Sequence, residues 1–127
     1  MTALLIAFGG ALGSLARYGL SEALARAWGP EFPWGTLIVN VTGCLLIGAA
    51  AGGSWNEARL IESPLVRQFF MVGICGGYTT FSAFSLQTVA MLQAGDAARA
   101  SLYVAASLFT CLLATWAGYA AAAALAR

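Results

Sequence analysis

Gly76-Gly77-Tyr78-Thr79-Thr80-Phe81-Ser82-Ala83-Phe84-Ser85 sits in the middle of a stretch that carries no formal charge from Gln68 to Gly95. Adjacent glycines and adjacent threonines are poor material for a helix interior, yet a stretch this long and apolar belongs at the depth of a bilayer. Unpaired backbone groups there are costly, so a broken helix is tolerated only where protein or a water-filled cavity covers it. Gly76 is expected to permit the turn, because glycine adopts conformations closed to other residues. Hydroxyls follow at once, with Phe81 and Phe84 three residues apart on one helix face. An interrupted membrane helix with a small polar and aromatic cluster predicts an ion or small-solute site.

The rest of the chain has the same setting. Hydrophobic residues make up 61% and charged residues 9%, against roughly 25% charged in soluble domains. There is no His, and six basic residues, all Arg, nearly balance five acids. That leaves no basic patch for nucleic acid and no acidic tail. A span needs about 20 apolar residues, and four stretches qualify, at about 3–25, 34–53, 65–94 and 100–126. Turn and charge signals fall between them, so residues 1–127 read as a single all-α membrane domain of four helices with the third broken. The first span lacks a basic leader segment and is expected to stay as a helix rather than be removed as a signal peptide. Enzymatic chemistry is poorly supplied: there is no His, no carboxylate cluster and no nucleophile paired with a base.

With four spans, Arg59, Arg67 and Arg127 fall on one side, and Arg26, Arg99 and the nearer Arg17 on the other. The balance gives no firm orientation. It fits either a weak single topology or insertion both ways with antiparallel pairing about a two-fold axis in the membrane plane. The pairs Gly9/Gly13, Gly48/Gly52 and Gly73/Gly77 allow close helix approach, most simply within one subunit. Cys44, Cys75 and Cys111 fall in different spans without metal-ligand spacing, and read as small buried apolar residues.

Polar residues inside spans need a partner or a function. Asn40 either hydrogen-bonds a neighbouring helix or offers its amide donors to an anion. Ser107, Cys111 and Thr115 recur at four-residue steps on one face of the last span, although Ser and Thr often return their hydroxyls to their own helix. Arg17 either snorkels to the interface or stands in a vestibule and concentrates anions. Donors at Thr79, Thr80, Ser82 and Ser85 suit a dehydrated anion, and so do ring edges at Phe81 and Phe84; ring faces would suit a cation.

These residues resemble the Fluc (CrcB-type) fluoride channels. Gly9-Gly10-Ala11-Leu12-Gly13 with Arg17-Tyr18, then Phe32-Pro33-Trp34-Gly35-Thr36-Leu37 with Val39-Asn40, then the Gly76–Ser85 run match in order across essentially the whole chain. The resemblance implies passive fluoride export across a bacterial inner membrane by a dual-topology antiparallel homodimer with two pores. It implies a sodium ion (Na+) at the dimer centre, held by backbone carbonyls that correspond to Gly76 and Thr79. It implies a fluoride path along Phe81 and Phe84, Asn40, and Ser107 and Thr115, with Thr80 and Ser82 beside it and Arg17 near the vestibule.

Three positions depart from the family pattern. Ala83 lacks a hydroxyl found in many members, Cys111 replaces a frequent serine, and Gln87 stands where some members carry glutamate. The alternative is a small dual-topology multidrug or cation exporter, which needs a mid-membrane acid in the first span. This chain offers only Glu22, near that span's end. A non-transporting assembly factor would leave the polar break unexplained.

Overall fold

The computed structural model describes residues 1–54 and 63–125. Arg59, Arg127 and the expected last-span end at Ala126 lie outside them. Helices α1 (Thr2–Trp28) and α2 (Trp34–Ser54) are followed by a composite third span. It runs through α3 (Pro64–Arg67), a π-helical stretch (Gln68–Cys75), α4 (Gly76–Tyr78) and α5 (Phe81–Gln93). Helix α6 (Ala97–Leu125) completes the described chain. Four helical stretches, Thr2–Trp28, Trp34–Gly53, Pro64–Gln93 and Ala97–Leu125, are long and apolar enough to cross a membrane.

Two ends differ from the sequence reading for local reasons. α1 continues to Trp28, where Gly29 at φ 81° ends it and donates its N–H to the Ala25 carbonyl at 3.0 Å. α6 begins at Ala97 because Asp96 caps it, accepting the Arg99 N–H at 3.0 Å. Arg99 also donates to the Glu31 carbonyl at 2.9 Å, so the loops after α1 and after α5 share one end of the molecule. Charge at that end is paired locally, Arg26 with Glu22 at 3.6 Å and Arg99 with Asp96 at 3.2 Å.

The helices associate as two parallel pairs, each built on small residues at four-residue steps. In the first pair, a Cβ at Gly9 would lie 2.7 Å from the Phe69 carbonyl oxygen, and one at Gly13 would strike that of Ile74. Gly73 and Gly77 reciprocate against Gly9 and Gly10. In the second pair, Gly48 and Gly52 of α2 meet the Thr115 and Tyr119 carbonyls of α6, and Gly118 meets that of Leu45. Contacts this close exclude any side chain and let dispersion act between backbones, the main source of helix association where water gives no hydrophobic drive.

The break falls inside the expected run, at Thr79 and Thr80, but by a different device from the one expected at Gly76. Gly76 is helical, at φ −64° and ψ −37°, and a Cβ there would meet nothing nearer than the Met71 oxygen at 3.8 Å. It does not permit the turn. Thr79 (φ −80°, ψ 159°) and Thr80 (φ −152°, ψ 115°) make it with extended backbone, the region that β-branched residues favour. The glycine that matters here is Gly77, for its contact with α1.

Candidate functional site

A continuous helix would have paired the backbone around residues 76–80 internally; the break redistributes those bonds. The donor due to the Gly76 carbonyl is the Thr80 N–H, which goes instead to Asn40 Oδ1 at 2.8 Å. Asn40 Nδ2 returns a bond to the Thr80 carbonyl at 3.0 Å, so one amide side chain grips both backbone groups of a single residue. The donor due to the Thr79 carbonyl is the Ala83 N–H, which goes to Thr80 Oγ1 at 3.1 Å and caps α5. The Gly77 carbonyl accepts from Arg17 Nε at 3.2 Å and from Ser14 Oγ at 3.4 Å. Gly76 and Thr79 are thus the two positions whose helical donors have been diverted to side chains.

Thr42 ties the break to α2 from below. Its single hydroxyl proton goes to the Ile38 carbonyl at 2.7 Å, so the Tyr78 hydroxyl, 2.8 Å away, is the donor between the two.

Most of the candidate residues gather in one cavity of about 360 Å³, bounded by α2, the break and α6. Asn40, Gly76, Thr79, Thr80, Phe81, Phe84 and Ser107 line it. Three candidates do not. Arg17 reaches the far side of the break, at Gly77. Ser82 pairs its hydroxyl with Thr80 Oγ1 at 3.3 Å. Thr115 returns its hydroxyl to the Cys111 carbonyl at 3.0 Å, one turn back on its own helix. Ser107 is the opposite case: it is 7% exposed, and among the described residues its Oγ has no hydrogen-bond partner. A buried hydroxyl without a partner on a cavity wall marks a place where a ligand or water is needed.

The two phenylalanines are not equivalent. Phe84 is 8% exposed and Phe81 74%, with ring centroids 5.3 Å apart. Phe84 packs on Tyr103 at 5.1 Å and Tyr103 on Phe32 at 5.4 Å, so a row of rings leads from the cavity toward the loop after α1. Beside that row runs a polar chain the sequence did not reveal. Gln87 Nε2 donates to Thr36 Oγ1 at 2.9 Å, and the fully buried Tyr103 donates to Gln87 Oε1 at 2.8 Å. The amide can serve both neighbours at once because it has a donor and an acceptor end, which a carboxylate lacks. Spacing alone gave no hint of this, since the three residues come from three spans.

Four helical spans long and apolar enough to cross a membrane, one opened at mid-length onto a cavity lined by polar side chains and apolar walls, define a multi-pass membrane protein of the transport class. The family described as CrcB-like protein, Camphor Resistance (CrcB) matches residues 4–119, and the chain belongs to it. Among its relatives, the fluoride-specific ion channel FluC of Rhodospirillum rubrum is 50% identical over 94% of this chain and 92% of its own length. Those of Opitutus terrae and Paramagnetospirillum magneticum are 49% and 48% identical, over 96% of this chain and 92% and 95% of theirs.

Proposed function

We propose that this protein is a fluoride channel that lets fluoride leave a bacterial cytoplasm passively, working as an antiparallel homodimer. The observation that carries the reading is the hydrogen-bond accounting at the break, taken together with relatives that bear the name fluoride-specific ion channel. A small anion gives up much hydration on entering the membrane and must be offered donors in exchange. Asn40 spends one amide proton on Thr80 and keeps the other. Ser107 supplies a hydroxyl with no other claim on it among the described residues. The first turn of α5 presents unpaired N–H groups at the positive end of a helix dipole. Phe81 and Phe84 add ring edges along an otherwise apolar wall.

Passive transport follows from what lines the path. The cavity-lining residues include no carboxylate and no basic group, so no proton exchange is built in. Fluoride that enters as the neutral acid dissociates inside and leaves as the anion down its gradient. Glu22, on which a cation exporter would have to rely, sits at the loop end of α1 beside Arg26.

The main-chain oxygens of Gly76 and Thr79, freed of their helical donors, fit a hard cation such as sodium, and two copies facing each other would offer four of them. A bound sodium ion would neutralise buried carbonyl dipoles and set positive charge between the two anion paths. Arg17 and Ser14, by holding Gly77, keep those oxygens from collapsing back into a helix.

Fluoride efflux from proteoliposomes, with chloride as the control anion, tests the function. Fast fluoride loss with chloride retained is expected; equal loss of both, or none from well-assembled protein, overturns it. Lysines added to the Asp96 loop in one copy and to the C-terminus in another test the pairing. Each variant alone should be inactive and the co-expressed pair active. Full activity of both alone, in opposite confirmed orientations, would rule out an antiparallel unit.

A further inference from the structure

The three cysteines looked unrelated in the sequence, but the packing of α2 on α6 brings two of them together. The two helices run parallel and in register: Gly52 meets Tyr119, and one turn earlier Gly48 meets Thr115. One turn earlier still, the same register sets Cys44 against Cys111. That register puts both thiols on one wall of the cavity beside the break, where both are free and both are partly exposed. Backbone contacts at Gly48 and Gly118 hold the two helices close within two turns of this pair.

We propose that Cys44 and Cys111 form a dithiol site for a soft divalent cation, with Hg2+ as its type. The cavity wall selects the ion. Two thiolates and one divalent ion make a neutral unit, which suits apolar side chains, whereas a monovalent ion reaches neutrality only with one thiol left protonated, a poor ligand. Hard and borderline ions compete poorly for two sulfurs alone, since they prefer oxygen ligands or a fuller tetrahedral set. Binding is a proton exchange without electron transfer. Two S–H bonds break, two mercury–sulfur bonds form, and two protons leave through the cavity to water. Cys75 lines the same cavity from the third span, outside the α2–α6 register that pairs the other two, so it serves as the internal control.

The test uses the purified full-length protein in detergent. Hg2+ is added at one per chain, followed by a wash with a small monothiol. Denaturation, alkylation and peptide mapping then show which thiols were held. Wild type should retain mercury through the wash, with Cys75 alkylated and Cys44 and Cys111 protected. Bidentate capture slows loss by an effective-concentration effect, so retention in Cys44→Ser and Cys111→Ser should fall by at least on the order of tenfold. Cys75→Ser should behave as wild type. Protection that includes Cys75 in place of either partner, wild-type retention in a single serine variant, or mercury washed out of wild type overturns the site. The mapping on wild type alone decides the question if a variant folds poorly.

Discussion

The two parallel helix pairs use the same contact and end differently. α2 and α6 touch backbone to backbone at Gly48, Gly52 and Gly118, and both remain unbroken helices whose carbonyls are satisfied internally. α1 and the third span touch the same way at Gly9, Gly13, Gly73 and Gly77, but the third span passes through π-helix and then opens at Thr79 and Thr80. Close packing is therefore not what opens a helix. The difference lies in where the freed bonds go: near the break Asn40, Thr80, Ser14 and Arg17 take over the partners that helix geometry has released. The regular pair supplies the frame, and the irregular span supplies the chemistry.

The largest effect is expected from removing the takeover. Asn40→Ala leaves the Thr80 N–H without its acceptor, at about 1–3 kcal/mol, while the Thr80 carbonyl, at the N-cap of α5, loses only a second donor. Fluoride efflux should fall to the liposome background, and near-normal flux would mean that the break is not held from α2. Next comes the frame. Gly48→Ala forces a methyl group into the Thr115 carbonyl and should cost about 1–3 kcal/mol by overpacking, read as a lower melting temperature in detergent. Gly76→Ala, whose Cβ would make only an ordinary contact with the Met71 oxygen at 3.8 Å, should melt like wild type. Equal losses at the two glycines would erase the distinction between frame and break.

Smaller effects separate the residues at the break. Thr80→Ala removes the cap on α5 and should cost about 1 kcal/mol, with Thr80→Ser restoring most of it. The two rings offer a graded comparison. Phe84→Ile, buried against Tyr103, should lower stability slightly, while Phe81→Ile, largely exposed, should not. Both should slow fluoride efflux if ring edges line the path, so unchanged flux in both would reduce the pair to packing. Least of all, Ser14→Ala removes a long bond that Arg17 duplicates, and should shift the melting temperature by no more than a degree or two, consistent with roughly 0.5 kcal/mol.

Much of this was legible in the sequence, for reasons that mark the limits of reading one. Span positions follow from length and apolarity, and came out within a few residues because charge and turn residues punctuate them. Asp96 as the cap of α6 was legible and overlooked: an Asp before Ala-Ala-Arg is a start signal. That the third span breaks was also readable, but the reason assigned to Gly76 was not the operative one. Two β-branched residues in extended backbone do the work, and the glycines beside them serve the contact with α1. The π-helical stretch has no compositional signature, because a hydrogen-bond shift of one residue changes no side chain. Partners such as Asn40 with Thr80, Gln87 with Thr36 and Tyr103, and Cys44 with Cys111 depend on how four helices lie together. No spacing along the chain encodes that.

The third span is shared between two neighbours. Its first half is fastened to α1 through the glycine contacts and Arg17, its second half to α6 through Phe84, Gln87 and Tyr103. The seam between the two fastenings is a pair of residues, Thr79 and Thr80, so the torsional compliance of the span is concentrated in four backbone angles. Asn40 clamps one side of that seam to α2. In amide hydrogen exchange this has a counter-intuitive signature: the Thr80 N–H, outside any helix, should exchange about as slowly as its helical neighbours. The residue at which the secondary structure fails is mechanically among the best anchored in the span.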